Sequence, residues 1–389
     1  MAVLKLEDIL ATRNYVGHPV PRKEDLKFLK GEGSYVDDLD MDCHHVGILR
    51  SVYAHARIKV IDTSRAEALK GVLAVITGKD VARETQPIPA RAISKPVKQY
   101  IMAVDKVRYV GEPVAAVAAE DPYVAADALG LIEVDYEPLD PVVKIEDAVK
   151  KDAPVIFEDV GSNVLLHDKM VHGNIEEAYK EANHVFKEHF DVHRYSSTPL
   201  EPWAIIVSHD SANDSYVAWA NDQQHGRSIV NVCNVLGISN DKFRLIVPDS
   251  GGGFGIKLAL WPYTIILCLL ARKVFKPVKW IQTRREHLLA GTHAPDASID
   301  IELAVKKDGT ILGLTMKDME NDGSFVHTAG IYGLIKFATM VGCYNIKATS
   351  AELMSVVTNK GPTVQNRGVG KPTMIFVLER MVDQIAKKL

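Results

Sequence analysis

Cysteine is scarce in this chain: Cys43, Cys233, Cys268 and Cys343 are the only four in 389 residues. They lie far apart with no C-x-x-C, so the ligand spacing of zinc ribbons and iron–sulfur motifs is missing, and a reducing compartment is the economical expectation. Long apolar runs are also missing. The longest, Ile265 to Ala271, is too short to cross a bilayer core of ~30 Å. At the start, Met1 to Asp8 reaches Glu7 and Asp8 before any apolar h-region forms, which argues against a secretory signal and predicts a soluble, cytoplasmic protein with no membrane partner. Nor does one sign of charge dominate. Lys and Arg number 46 against 50 Asp and Glu, a formal net of −4, so nothing global favours nucleic acid as a partner. Internal repeats and low-complexity tracts are absent.

What is present suits a folded chain of two or three domains, at roughly 150 residues each. Val46 to Val52 and Val72 to Thr77 read as strands, with a helix capped by Asp62-Thr63-Ser64 between them and closed by Gly71. A second such unit follows: strand Pro113 to Ala119, a helix opened by Asp121 and Pro122, and a strand from Ile132 to Tyr136. Pro154 and Gly161 mark a crossing segment. Beyond it, Phe186, Phe190 and Val192 alternate with polar residues as in a strand with one wet face, and Ile299 to Val305 turns at Asp308-Gly309 into a strand from Ile311. Apolar residues at 377, 378, 381, 382 and 385 give the C-terminal segment an amphipathic helical face. The fold class is α+β, with one domain over residues 1–150 and a second over 165–389.

The sharpest local feature is Asp249-Ser250-Gly251-Gly252-Gly253-Phe254-Gly255-Ile256-Lys257, between a strand from Phe243 to Val247 and a helix expected from about Leu258 to Lys273. It reads either as a tight β-to-α turn or as a place where backbone N–H groups converge on an anion or cofactor. Walker and dinucleotide motifs do not fit, because Ile256 separates Gly255 from Lys257 and no glycine stands at 256 or 258. Upstream, Asn221-Asp222-Gln223-Gln224 joins another strand to a helix closed by Gly237, and strand C-termini in such layouts collect ligands. His189 and His193 are about 13 Å apart on a strand, too far to share a metal, and His44-His45 has no supporting ligand cluster. Gln365-Asn366-Arg367-Gly368, before the last helix, is either an anion clamp or a capping segment.

Taken in order, these pieces resemble the molybdenum-binding large subunit of the xanthine dehydrogenase, aldehyde oxidase and aerobic carbon monoxide dehydrogenase family. Gly33-Ser34-Tyr35-Val36-Asp37-Asp38, Ala54-His55-Ala56-Arg57-Ile58, Tyr109-Val110-Gly111-Glu112-Pro113 and Val134-Asp135-Tyr136-Glu137-Pro138 are similar to its N-terminal α/β-hammerhead domain. Pro199-Leu200-Glu201-Pro202, Gln223, Gly251 to Lys257, Pro277-Val278-Lys279-Trp280 and Arg367-Gly368 are similar to its first molybdopterin-binding domain. The resemblance puts the glutamine near the molybdenum oxo group at Gln223, 28 positions ahead of the first loop glycine. It puts the Gly-Gly-Phe-Gly contact with metal and pterin at Gly252, Gly253, Phe254 and Gly255, and the substrate-side arginine at Arg367. Gln223 and Phe254 would act on the metal only through its other ligands, since the pterin dithiolene holds it, while Gln223 and Arg367 would serve catalysis.

The resemblance implies part of a molybdenum hydroxylase that oxidises an aldehyde or N-heterocycle, with water as oxygen source and electrons passed to an iron–sulfur subunit with 2Fe-2S clusters and an FAD subunit. Gly368 stands where copper-containing carbon monoxide dehydrogenases carry cysteine. Leu258 stands where purine hydroxylases carry glutamate, so carbon monoxide and xanthine are disfavoured. The family's second molybdopterin-binding domain, with its catalytic Gly-Glu base, has no counterpart here. The expectation is the N-terminal half of a split subunit, sharing the molybdenum-pterin cofactor with a second chain that carries the missing domain. A non-catalytic scaffold is the rival; a generic phosphate-binding domain would rest on the glycine loop alone.

Overall fold

A computed structural model describes residues 16–17, 19–92 and 97–389; the Met1 to Asp8 signal reading lies outside them. The strands of the first part are β1 (His44–Arg50), β2 (Ala56–Asp62), β3 (Val72–Thr77), β4 (Lys106–Val107), β5 (Pro113–Ala119) and β6 (Glu133–Pro138). The second part adds β7 (Val164–His172), β8 (His184–Val192), β9 (Ala204–Asp210), β10 (Ser215–Ala220), β11 (Phe243–Ile246), β12 (Val278–Ile281), β13 (Asp296–Val305), β14 (Ile311–Gly323) and β15 (Ala348–Val357). Mixed helix and sheet of this kind is α+β.

One seven-stranded sheet, β11-β10-β9-β12-β1-β5-β3, joins the two parts, because β1 pairs in parallel with β12 through His44 opposite Val278 and His45 opposite Lys279. β5 shows why its sequence is almost all alanine and valine. Ala116 and Ala118 face the large core beneath the buried helix Trp261–Val274, while Ala115, Val117 and Ala119 face the helix Pro122–Leu131, so neither side admits bulk or charge. Asp121 caps that second helix by accepting the N–H groups of Tyr123 and Val124 at 2.8 and 2.9 Å.

A five-stranded sheet, β7-β15-β14-β13-β8, carries the helices Ile331–Thr339 and Lys371–Lys388 on one face. Val377, Leu378, Met381 and Ile385 are buried there, as the amphipathic reading requires. The hairpin at Asp308-Gly309 forms, with Gly309 at φ +86°, a conformation that L side chains rarely adopt. The opposite face bears Lys187, His189, Asp300 and Glu302. The three-stranded sheet β4-β2-β6 completes the first part. No helix among the described residues is long and apolar enough to cross a membrane.

Candidate functional site

β10 and β11 are parallel neighbours in which Trp219 registers with Ile246, so the chain leaves the sheet at the same edge twice. The first exit is fixed by two buried side chains. Asn221 accepts the Ala204 N–H at 3.1 Å and donates its amide to the Pro202 carbonyl at 2.8 Å. Asp222 accepts the Gln224 N–H at 2.6 Å and the Ser228 hydroxyl at 2.7 Å; burial lifts its carboxyl above the usual range while these bonds oppose the rise. With the two preceding side chains turned inward, Gln223 is left exposed where the chain leaves the sheet. Its Oε1 accepts the Gly255 N–H at 2.8 Å.

The second exit is the glycine loop. Gly252 and Gly255 hold φ +95° and +104°, and Phe254 adopts φ +54° despite its side chain, leaving the ring 44% exposed. A Cβ at Gly253 would stand 2.6 Å from Oε1 of Gln223, and one at Gly255 would stand 2.8 Å from the carbonyl carbon of Gln365. The glycines therefore let three protein segments close on one another. The N–H groups of Gly252, Gly253 and Phe254 meet no acceptor among the described residues. At the loop's ends, Asp249 accepts from Lys27 Nζ at 2.7 Å, and Oε2 of Glu201 accepts both the Gly251 N–H at 2.7 Å and Lys257 Nζ at 2.8 Å. The helix expected from about Leu258 begins later. A 3-10 turn over Ile256–Ala259 intervenes, and the α-helix starts at Trp261, where Pro262 occupies a first-turn position that needs no N–H.

Arg367 arrives on a third segment, between β15 and the last helix. The Val364 N–H donates to the His293 carbonyl at 2.9 Å. The Tyr332 hydroxyl donates to the Val364 carbonyl at 2.5 Å and accepts the Asn366 N–H. Oδ1 of Asn366 in turn accepts from the Ser197 hydroxyl and from the Arg367 N–H, the latter at 2.9 Å. Burial, with the Arg194 charge, pushes the nearby His293 imidazole down to about 4. The Arg367 side chain is exposed and has no carboxylate partner among the described residues. Gly368 at φ +98° and Gly370 at φ +76° then turn the chain into the helix.

Gln223, the loop from Gly252 through Gly253 and Phe254 to Gly255, and the Gln365–Asn366 backbone just before Arg367 thus meet from three segments. His189 does not join them: on β8 it pairs with Asp300 at 2.8 Å and Asp191 at 3.1 Å. Among the described residues no cluster of three His, Cys, Asp or Glu side chains suits a metal ion. A metal carried on a pterin dithiolene asks the protein for hydrogen-bond donors, and the free loop N–H groups, the Gln223 amide and the Arg367 guanidinium fit that demand. The supporting roles of Tyr332, Ser197 and the Glu201–Lys257 pair escape the sequence reading; Glu201 and Lys257 stand in recognised motifs, whereas nothing in the sequence marks Tyr332.

Residues 30–140 match the aldehyde oxidase and xanthine dehydrogenase a/b hammerhead domain, and residues 156–389 match the molybdopterin cofactor-binding domain. The chain is 32% identical over 378 residues to subunit gamma of the 6-hydroxypseudooxynicotine dehydrogenase complex of Paenarthrobacter nicotinovorans, covering 95% of this chain and 47% of that one. It is 27% identical to the nicotinate dehydrogenase large molybdopterin subunit of Eubacterium barkeri, covering 94% of this chain and 84% of that subunit. Quinoline 2-oxidoreductase from Pseudomonas putida 86 superposes with a TM-score of 0.89 at 32% identity, over 96% of this chain and 48% of that one. The chain spans about half the length of the first of these relatives. On these matches it belongs to the molybdenum-cofactor-binding large subunits of the aldehyde oxidase and xanthine dehydrogenase family.

Proposed function

We propose that this chain forms one wall of the active site of a cytoplasmic molybdenum hydroxylase that oxidises an aldehyde or an N-heterocycle with water as oxygen source. The observation that carries the reading is that Gln223, the loop from Gly252 to Gly255 and the segment leading into Arg367 meet at one end of the sheet, with loop donors left free. When bound, the molybdenum-pterin group supplies the two-electron oxidation and the exit path for electrons. Gln223, its Oε1 already engaged by Gly255, presents its amide N–H as a donor. The N–H groups of Gly252, Gly253 and Phe254, which meet no acceptor among the described residues, would donate hydrogen bonds to the anionic cofactor. Arg367 stabilises negative charge on substrate as it develops, which preorganised donors do most effectively where water is excluded.

The division into residues 1–150 and 165–389 belongs to this proposal, with the second part holding the cofactor. So do the partners: a second chain bearing the other cofactor-binding domain and the base, an iron–sulfur subunit and an FAD subunit. Carbon monoxide is a disfavoured substrate, because a Cβ at Gly368 would stand 2.5 Å from Cδ of Pro372 and the backbone there holds φ +98°, leaving no place for cysteine. Expression with its neighbouring subunits, followed by molybdenum quantification and dye-linked oxidation of aldehydes and N-heterocycles, tests the proposal. Cofactor-loaded complex that turns over neither class, or carbon monoxide faster than both, refutes it.

A further inference from the structure

Pro199-Leu200-Glu201-Pro202 and Lys257 are recognisable in the sequence, yet neither touches Gln223 or Arg367. We propose that Glu201 is a positioning residue whose charge, held by Lys257, clasps both ends of the glycine loop and so sets Gly253, Phe254 and Gly255 against Gln223. The inference rests on the reading of the site given above. One carboxylate oxygen, Oε2, accepts from the Gly251 N–H at 2.7 Å and from Lys257 Nζ at 2.8 Å, and the Glu201 N–H returns a longer bond to the Gly251 carbonyl at 3.4 Å. The approach is so close that a Cβ at Gly251 would stand 2.5 Å from Cβ of Glu201. The carboxylate's own segment is fixed in turn, since Arg284 donates to the carbonyls of Pro199 and Leu200 at 2.5 and 3.0 Å.

Charge is needed as well as shape. Lys257 is 0% exposed and Glu201 is its acidic partner, so a neutral acceptor at 201 would leave a buried ammonium uncompensated. Between the clasped ends the loop belongs to no strand or α-helix; the Gly255 N–H donates to Gln223 at 2.8 Å, the Ile256 N–H to the Gly253 carbonyl at 3.1 Å, and the Thr292 hydroxyl to the Ile256 carbonyl at 3.3 Å. Loss of the clasp should therefore loosen residues 251–257 before it loosens the sheets.

The test uses the full chain in its complex, as wild type, as Glu201→Gln, and as the double variant Glu201→Leu with Lys257→Met, which removes both charges together and so leaves no buried ammonium uncompensated. Hydrogen exchange is read for the 251–257 amides and for β13 and β14, beside the half-time of molybdenum loss on dilution. We expect loop exchange to speed up at least tenfold in every variant that folds, with β13 and β14 unchanged, and molybdenum to be lost at least tenfold faster. Wild-type loop exchange in the double variant overturns the clasp, as does equal acceleration across β13 and β14. A wild-type complex without molybdenum overturns the functional reading instead, and the exchange arm then judges the clasp alone.

Discussion

Gly255 donates its backbone N–H to the side-chain oxygen of Gln223 across 2.8 Å, tying together two loops that leave adjacent parallel strands 32 residues apart in sequence. That bond orients the glutamine, since an engaged oxygen leaves the amide nitrogen facing outward as a donor. Replacing Gln223 by Ala should lower kcat ten- to a hundredfold, the usual cost of losing an orienting contact around a metal, with molybdenum still bound. Gln223→Glu should do no better, because it offers an acceptor where a donor is needed. Steady-state kinetics with metal analysis decide this; wild-type kcat in either variant would remove Gln223 from the chemistry.

Gly255→Val drives a branched side chain into the Gln365–Asn366 backbone at a φ of +104°. The residue displaced lies two positions from Arg367, so the variant should lose both cofactor and thermal stability. Gly226, in the helix His225–Leu236, is the opposite case: a Cβ there would meet nothing within 4 Å, and its Ala variant should gain about 0.4–1 kcal/mol. Thermal unfolding of the two variants checks the contrast in sign.

Gly368→Cys should not bring carbon monoxide oxidation with it. The thiol has to displace Pro372 from the first turn of the last helix, so we expect a lower Tm and reduced aldehyde or heterocycle turnover, measured on the assembled complex. A stable variant with new carbon monoxide activity would show that the segment repacks freely.

Much of this architecture was legible because local signals agreed with the tertiary demand. Asp121-Pro122 opens a helix, Asp308-Gly309 turns a hairpin, and the Val377 to Ile385 stripe meets the five-stranded sheet, each by rules that act within a few residues. The late start of the helix at Trp261 was not legible, because the positive-φ glycines consume chain length that an apolar pattern does not record. The union of both parts in one sheet was hidden too, since β1 and β12 are far apart in sequence and their pairing leaves no local mark. For the site, residue types and order marked Gln223, the glycine loop and Arg367. What holds them, Tyr332 beneath the Arg367 segment and Glu201 beneath the loop, depends on contacts between distant segments.

The least expected cluster in the chain yields a pH prediction. Asp318, Glu320 and Asp322 alternate along β14 and are all buried, while Lys336 of the helix Ile331–Thr339 is the cation among them, 2.6 Å from Asp318 and 3.1 Å from Glu320. One ammonium does not neutralise three carboxylates. Burial accordingly lifts Glu320 well above the carboxylate range and Asp322 to about 7, although the Ser355 hydroxyl, the Gly330 N–H, Lys336 and Arg194 favour the charged form of Asp322. The native state thus keeps a proton on Asp322 that the unfolded chain releases near pH ~3.9. Stability from this group is full below that pH and is lost as pH rises toward 7, by up to about 1.4 kcal/mol per pH unit for one proton. The buried His293 and His327, both pushed down to about 4, act in the opposite sense between 4 and their unfolded value of 6.5, so wild type alone is ambiguous. Asp322→Asn removes the carboxylate contribution and leaves the histidines in place, and its amide oxygen still accepts from Ser355 and Gly330. Denaturant unfolding between pH 4.5 and 7.5 should therefore show the stability of Asp322→Asn relative to wild type improving steadily as pH rises. A constant difference across that range would mean that Asp322 is already ionised in the folded protein and that Lys336 balances a larger buried charge than a protonated Asp322 would leave it.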